Sequence, residues 1–146
     1  MGIGADELFG GYTRHRNAYN RTNGSHDDKI EAVRKELEFD WQRLPYRNLG
    51  RDDRVVADHG KTARAPYIEE EVVNFVANLS VSQKCCFDLE QGVGDKLLLR
   101  LCGYKLGLRY SAALKKRAAQ FGSRIANKNQ NAKDISIYLS AINLKN

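Results

Sequence analysis

The chain opens Met1-Gly2-Ile3-Gly4-Ala5-Asp6-Glu7-Leu8-Phe9-Gly10-Gly11-Tyr12, and the rest of the sequence is organised around this stretch. Gly2 and Gly4 flank a single residue, and an acidic pair then opens a run that can become a helix. A Gly-x-Gly turn leading into a helix lets backbone N–H groups converge on an anion. With no Cβ at either glycine, a phosphate can approach the backbone closely. Asp6 and Glu7 fall in the first helical turn, where the dipole favours them and where a carboxylate could hold Mg²⁺ beside a phosphate. The same spacing also fits a plain glycine turn with an acidic first turn, because such turns are common.

A chain of 146 residues with 42% hydrophobic and 29% charged residues has room for one domain with a small core. No apolar run reaches the roughly 20 residues that span a bilayer, and no basic-then-apolar leader opens the chain, so no membrane association is expected. Cys85, Cys86 and Cys102 are odd in number and two are adjacent, which predicts reduced thiols in a cytoplasmic protein. The adjacent pair reads better as small apolar residues than as a reactive or metal-binding site, and no metal-ligand set is expected. Charge is uneven: residues 1–94 hold 13 Lys/Arg against 16 Asp/Glu, whereas residues 95–146 hold 11 against Asp95 and Asp134. That asymmetry fits a basic lining for a nucleotide pocket, a solvated tail or an acidic partner. Nucleic acid is the minor reading, since no RNA-binding signature or aromatic interleaving accompanies the charge.

In order along the chain, the first helix is expected to continue through Gly10 and Gly11 to Tyr19 and to end at Asn23-Gly24, at a cost of about 1 kcal/mol for each interior glycine. His15, alone among arginines, reads as a solvated histidine. Ser25 is a good N-cap, and Ile30, Val33, Leu37, Trp41 and Leu44 then form a helical stripe that Pro45 stops. Trp41 on that stripe reads as core. A short helix is expected around Asp53–Ala57, ended by Gly60. Pro66 starts a new segment, and Glu69, Glu70 and Glu71 lead a helix whose apolar face carries Val72, Val73, Phe75, Val76 and Leu79. Residues 85–89 read as a short extended piece. Asp95 reads as the cap of a helix that buries Leu97, Leu98, Leu101 and Cys102, with Lys96 and Arg100 on its other edge. Residues 127–134 are polar and loop-like, and a last short helix is expected over residues 135–142.

Three blocks carry a resemblance. The first twelve residues resemble the Ser-Gly-Glu-Gly-Ala/Ser-Asp-Glu-Leu-Phe-Gly-Gly-Tyr motif of the asparagine synthetase family. Leu49-Gly50-Arg51-Asp52-Asp53-Arg54, followed by His59-Gly60 and Arg64-Ala65-Pro66-Tyr67-Ile68-Glu69, is similar to the family's Leu-x-Arg-x-Asp-Arg and His-Gly-x-Glu-x-Arg-Val-Pro-Phe-Leu-Asp. Lys96-Leu97-Leu98-Leu99-Arg100 and Arg117-Ala118-Ala119-Gln120-Phe121-Gly122-Ser123 complete the series in the family's order.

The resemblance implies a mainly α chain: the C-terminal helical part of an α/β adenine-nucleotide-hydrolase-like domain over residues 1–126, then a polar linker and short helix over 127–146. It implies ATP and Mg²⁺ as cofactors. Gly2, Gly4, Asp6, Arg51, Asp53 and Arg64 would face the nucleotide and aspartate. The family lysine that stabilises charge during adenylation would fall on Arg117 or Ala118, with Lys116 close by, so Arg117 is the catalytic candidate. Lys96 and Arg100 would support the fold. Lys61-Thr62 and Ala63 depart from the family pattern, which leaves substrate choice open. The family builds a β-aspartyl adenylate from aspartate and ATP, and ammonia then displaces AMP. These 146 residues carry neither the Ser-Gly-Gly-x-Asp-Ser pyrophosphate loop nor an N-terminal cysteine nucleophile, as a chain beginning in mid-domain would not. Ile3 stands where the family has a glutamate that accepts a proton. The expectation is a synthetase part inactive alone, whose ATP and aspartate site needs a missing upstream part. The alternatives are a pseudoenzyme or protein-interaction module with a partner on exposed apolar faces, and a basic nucleic-acid-binding module.

Overall fold

The computed structural model describes residues 1–118. Two compact units divide the chain, Met1–Lys115 and Lys116–Asn146. Of the second unit, Lys116, Arg117 and Ala118 are described and lie outside any helix. The expected loop and helix over residues 127–142 lie outside the described residues.

The first unit is helical, with no strand among the described residues. Its elements are α1 (Ala5–Phe9), α2 (Thr13–Arg21), α3 (His26–Leu44), a π-helical turn (Pro45–Leu49), α4 (Gly50–Asp58), a 3₁₀ turn (Pro66–Ile68), α5 (Glu70–Ala77), α6 (Val81–Lys84), α7 (Leu97–Lys105) and α8 (Arg109–Ala112). Among the described residues no helix is long and apolar enough to cross a membrane.

Local signals explain most boundaries. Ser25 caps α3 through its hydroxyl, which accepts from the Asp28 N–H, while the Asp28 carboxylate accepts from the Ser25 N–H at 2.8 Å. Ser80 and Gln83 cap α6 in the same way. Gly60, at φ 64°, follows α4 as expected. The α3 stripe is divided between two cores. Val33 and Leu37, with Ile30 beside them, join Tyr19, Val81, Cys85 and Phe87. Trp41 packs on a second cluster of Leu8, Phe9 and Val76, together with Tyr67, Val72, Val73, Leu98 and Leu99. Fully buried side chains such as Val33 and Val76 stabilise by about 1.5–3 kcal/mol each.

Several expectations are corrected. The first helix does not continue through Gly10 and Gly11. Gly10 is left-handed (φ 76°) and ends α1, and a Cβ there would stand 2.9 Å from Cys85 Sγ. At Gly11 a Cβ would collide with the Asp6 carboxylate, so both glycines are needed for the chain to leave α1 tightly packed. Pro45 does not stop α3. Leu44, Pro45, Leu49 and Gly50 all keep right-handed helical angles, and the Gly50 N–H donates to the Pro45 carbonyl, so a wider turn carries α3 directly into α4. Asp95 does not cap α7. Lys96 does, at φ 54°, and on α7 Leu97, Leu98 and Leu99 are half-buried, the latter two packed on the second cluster, while Leu101 and Cys102 are exposed. Phe75 is likewise exposed on α5. The extended piece shrinks to Cys85, since Phe87 and Asp88 already turn.

The largest correction is His15, which is fully buried rather than solvated. Its Nδ1 accepts from the Tyr12 N–H at 3.3 Å, so the ring proton sits on Nε2 and is donated to Asp40 Oδ2 at 2.8 Å. Asp40, itself buried on α3, also accepts from Arg14 Nε at 2.6 Å and Arg43 Nη2 at 2.8 Å. Burial pushes the Asp40 carboxyl up, but the bonds from His15 and Arg14 outweigh it and hold the group below its ordinary 3.8.

Two outcomes are expected in urea unfolding followed by the fluorescence of Trp41. Gly10→Ala should lower stability by about 2 kcal/mol through left-handed strain and overpacking against Cys85. Asp40→Ala should cost about 3 kcal/mol near neutrality by stranding buried donors. Because the folded carboxyl titrates below its unfolded value, its contribution is complete above pH 3.8 and is lost as pH falls through the folded pKa. The gap between wild type and variant should therefore narrow below pH 3.8.

Candidate functional site

The glycine turn forms much as its spacing predicts. Gly4 is left-handed (φ 94°, ψ −25°) and stands at the N-cap of α1. A Cβ on Gly4 would lie 2.7 Å from Ile68 Cγ2 and 3.2 Å from Tyr67 Cβ, so only glycine lets the turn sit against the 3₁₀ turn. The Met1 nitrogen donates to the Arg64 carbonyl beside it. Two motifs about 60 positions apart thus meet along one edge. Gly2 is exposed, nothing lies within 4 Å of where its Cβ would be, and its carbonyl accepts from the Ala5 N–H at 3.3 Å.

Asp6 and Glu7, adjacent in sequence, face different surroundings. Lys96 Nζ donates to Asp6 Oδ1 at 2.7 Å, and the Lys96 N–H donates to the Phe9 carbonyl at 3.1 Å. Lys96 is the non-glycine residue with positive φ among the described residues, a conformation that costs about 1–2 kcal/mol and that these two bonds to α1 offset. Glu7 is buried and accepts from the Tyr12 hydroxyl at 2.6 Å; Asn48 Nδ2 lies 3.4 Å from the same oxygen. Burial, then the bond to Glu7, push the Tyr12 hydroxyl well above the ordinary tyrosine range. This donor set does not fit a magnesium site. Asp6 is engaged by an ammonium, Glu7 is held inward by Tyr12, and among the described residues no three His, Cys, Asp or Glu side chains are grouped to hold a metal ion.

The remaining candidates are not gathered at the turn. Arg51 and Asp53 lie exposed on α4, and Arg51 Nε donates to the neighbouring Asp52 at 2.6 Å. Arg64 reaches the turn through its carbonyl, and the residue is exposed. Arg117 is exposed and belongs to the second unit, and Ala118 beside it is half-buried. Cys85, Cys86 and Cys102 are free thiols; burial pushes Cys85 up to about 12, which makes it unreactive.

Sequence reasoning missed His15, Asp40 and the direct contact of Lys96 with Asp6. A signal existed for Asp40. It falls at stripe spacing with Val33, Leu37 and Leu44, and a carboxylate on an apolar face asks for a buried partner. Nothing local announces the Lys96–Asp6 pair, whose members are 90 positions apart.

Comparison with known proteins gives a consistent result. The chain is 64% identical over 131 residues to the asparagine synthetase domain-containing protein CG17486 of Drosophila melanogaster, covering 90% of this chain and 23% of that protein. It is 47% identical over 148 residues to the human asparagine synthetase domain-containing protein 1, covering 99% of this chain and 22% of that one. It is also 41% identical over 83 residues to a putative glutamine-hydrolysing asparagine synthetase 1 of Methanocaldococcus jannaschii, covering 57% of this chain and 14% of that protein. The chain therefore spans about a fifth of the length of the first two relatives. No solved structure matches it. The family model for asparagine synthase matches residues 20–106, a span that takes in Arg51, Asp53, Arg64 and Lys96 and leaves the glycine turn and Arg117 outside. With that match over more than half its length, the chain belongs to the asparagine synthase family.

Proposed function

We propose that this chain supplies one wall of an ATP- and aspartate-binding synthetase site and does not complete the reaction with its own residues. The observation that carries the reading is the seating of the glycine turn on the 3₁₀ turn through Gly4. It joins the two motifs that the family resemblance assigns to the nucleotide and aspartate, and it leaves Gly2 exposed with space where a Cβ would be. In the family reaction the aspartate side-chain carboxylate attacks the α-phosphorus of ATP and pyrophosphate leaves. Ammonia then attacks the acyl carbon and AMP leaves. Of this chemistry the chain offers backbone and cations: the exposed Gly2, Lys96 beside Asp6, and Arg64 next to the turn, with Arg51 apart from it on α4. Arginine forks suit phosphate or carboxylate. The step that takes a proton from the incoming ammonia has no group at Ile3, which is half-buried and apolar. The pyrophosphate loop is not among these residues, and the α/β sheet of the parent fold would likewise lie in residues other than those described. Because Asp6 and Glu7 are engaged, no step is assigned to magnesium held by this chain.

A second reading, a pseudoenzyme acting as an interaction module, draws on a different observation. Leu101, Tyr104, Leu106, Leu108 and Tyr110 are all more than half exposed along α7, α8 and their link.

Calorimetry with Mg-ATP separates the two, run on this chain and on a form extended upstream through a pyrophosphate loop. The expected result is binding by the extended form alone, with weak aspartate-dependent pyrophosphate release. In that form Ile3→Glu should raise asparagine formation by about a hundredfold, the low end of general-base contributions. Absence of nucleotide binding in both forms would overturn the synthetase reading and leave the interaction module.

A further inference from the structure

Between Asp95 and Asp134 the chain carries no acidic residue. Inside that stretch, Leu101, Tyr104, Leu106, Leu108, Tyr110 and Leu114 are all more than half exposed, from 51% to 80%. Lys105 and Arg109 are exposed among them, and within the described residues neither meets a carboxylate. On α7, Leu101, Tyr104 and Lys105 share one face at steps of three and four residues. Arg109 of α8 joins that face, its guanidinium 5.4 Å from the centre of the Tyr104 ring.

This surface is held in shape although little of it is buried. α7 touches the second core through Leu98 and Leu99, and no residue of α7 or α8 is fully buried. α8 is nonetheless fixed on α7. Gly107 turns the chain in the left-handed region (φ 88°), and the Leu108 N–H donates to the Gly103 carbonyl at 2.9 Å. Gly103 lets the two helices approach, since a Cβ there would stand 3.6 Å from the Ala112 Cβ. Arg100 Nη1 donates to the carbonyls of Ala112 and Leu114 at 2.8 Å each, and Asp95 Oδ2 accepts from Arg100 Nη2 at 2.6 Å. Fixing backbone costs about 1–2 kcal/mol per residue, and side chains left in water return little of it. The clamp therefore preserves a surface, and a preformed apolar surface associates without a further ordering cost.

Charge decides what fits it. Cations with no acid around them favour an acidic partner. The chain's own residues 119–146 carry four Lys/Arg against Asp134, so like charge turns them away. A nucleic-acid backbone would meet the cations and leave the leucines unmatched. A membrane-lying helix keeps its apolar side chains on one face. α7 instead packs Leu98 and Leu99 on the core and exposes Leu101 and Tyr104.

We propose that the outer face of α7 and α8 docks an acidic amphipathic helix of a partner protein. Its leucines and tyrosines take the partner's apolar side chains, and Lys105 and Arg109 take its carboxylates. The proposal rests on the interaction-module reading and deepens it by naming the partner's chemistry.

The test titrates the 146-residue chain calorimetrically with a synthetic helical peptide bearing Leu at i, i+3, i+4 and i+7 and Glu on the flanks. A second peptide has Lys at every Glu. The acidic peptide should bind, and a tenfold rise in salt should weaken it about tenfold. Tyr110→Ser and Arg109→Glu, both surface changes, should each weaken it about tenfold with the helical circular dichroism unchanged, as loss of one hot spot implies. Val55→Ser, at an exposed apolar position on α4, should bind like wild type. Equal binding of the lysine peptide, or a dimer that Tyr110→Ser dissolves, overturns the acidic partner and leaves the interaction reading standing. Binding to neither peptide, or to phosphatidylserine vesicles alone, overturns both.

Discussion

A helix of five residues does not hold itself, and α1 is such a helix, set at the turn on which the candidate site is built. Everything that keeps it in place comes from outside. Lys96 grips both ends, its ammonium on Asp6 and its N–H on the Phe9 carbonyl. Tyr12 fastens Glu7, Leu8 and Phe9 sink into the second core, and Gly10 lets the chain leave against Cys85 and Phe87. Lys96 makes both bonds from a left-handed backbone, a conformation that costs a non-glycine residue and that the bonds to α1 offset.

Around α1 the first unit is registered by two buried carboxylates rather than by apolar packing alone. Asp40 fixes α2 on α3 through His15 and Arg14. Asp95 holds the Gly92 N–H and, through Arg100, the end of α8, while Arg16 of α2 grips the carbonyls of Phe87 and Leu89. Buried ion pairs are seldom more stabilising than well-packed hydrophobes, because desolvation offsets most of the Coulombic gain. What they add is directional. A carboxylate with two or three fixed donors tolerates one arrangement, whereas an apolar contact would accept a slip of a turn. Most of these donors are arginines, whose forks reach two partners at once.

The same arrangement bears on chemistry. The turn carries the apolar Ile3 between its glycines, and Asp6 is paired with Lys96, so among the described residues no free carboxylate is seen at the turn's start beyond that ion pair. The arginine candidates of the first unit lie on separate segments, Arg51 on α4 and Arg64 before the 3₁₀ turn. Of these two, Arg64 meets the glycine turn, through its carbonyl.

Wherever the controlling physics is local, the sequence alone determined the outcome. The α3 stripe, the Ser25 cap, the helix behind Pro66 and its three glutamates, and the Gly4 turn all follow from periodicity, capping and steric freedom within a few residues. Even Asp40 left a trace, as a charge at stripe spacing. Tertiary structure decided the rest. His15 is a surface histidine by its arginine neighbours and a buried one only because α3 delivers Asp40 to it. Pro45 stops a helix by its missing N–H, yet the chain passes through a wider turn whose bonds do not need that donor. Asp95 looks like a cap until Arg100 and Gly92 claim its oxygens, and Lys96 meets Asp6 across 90 positions. Periodicity ranks the faces of one element. Which charge stands opposite which is set by how elements pack, and no local window contains that information.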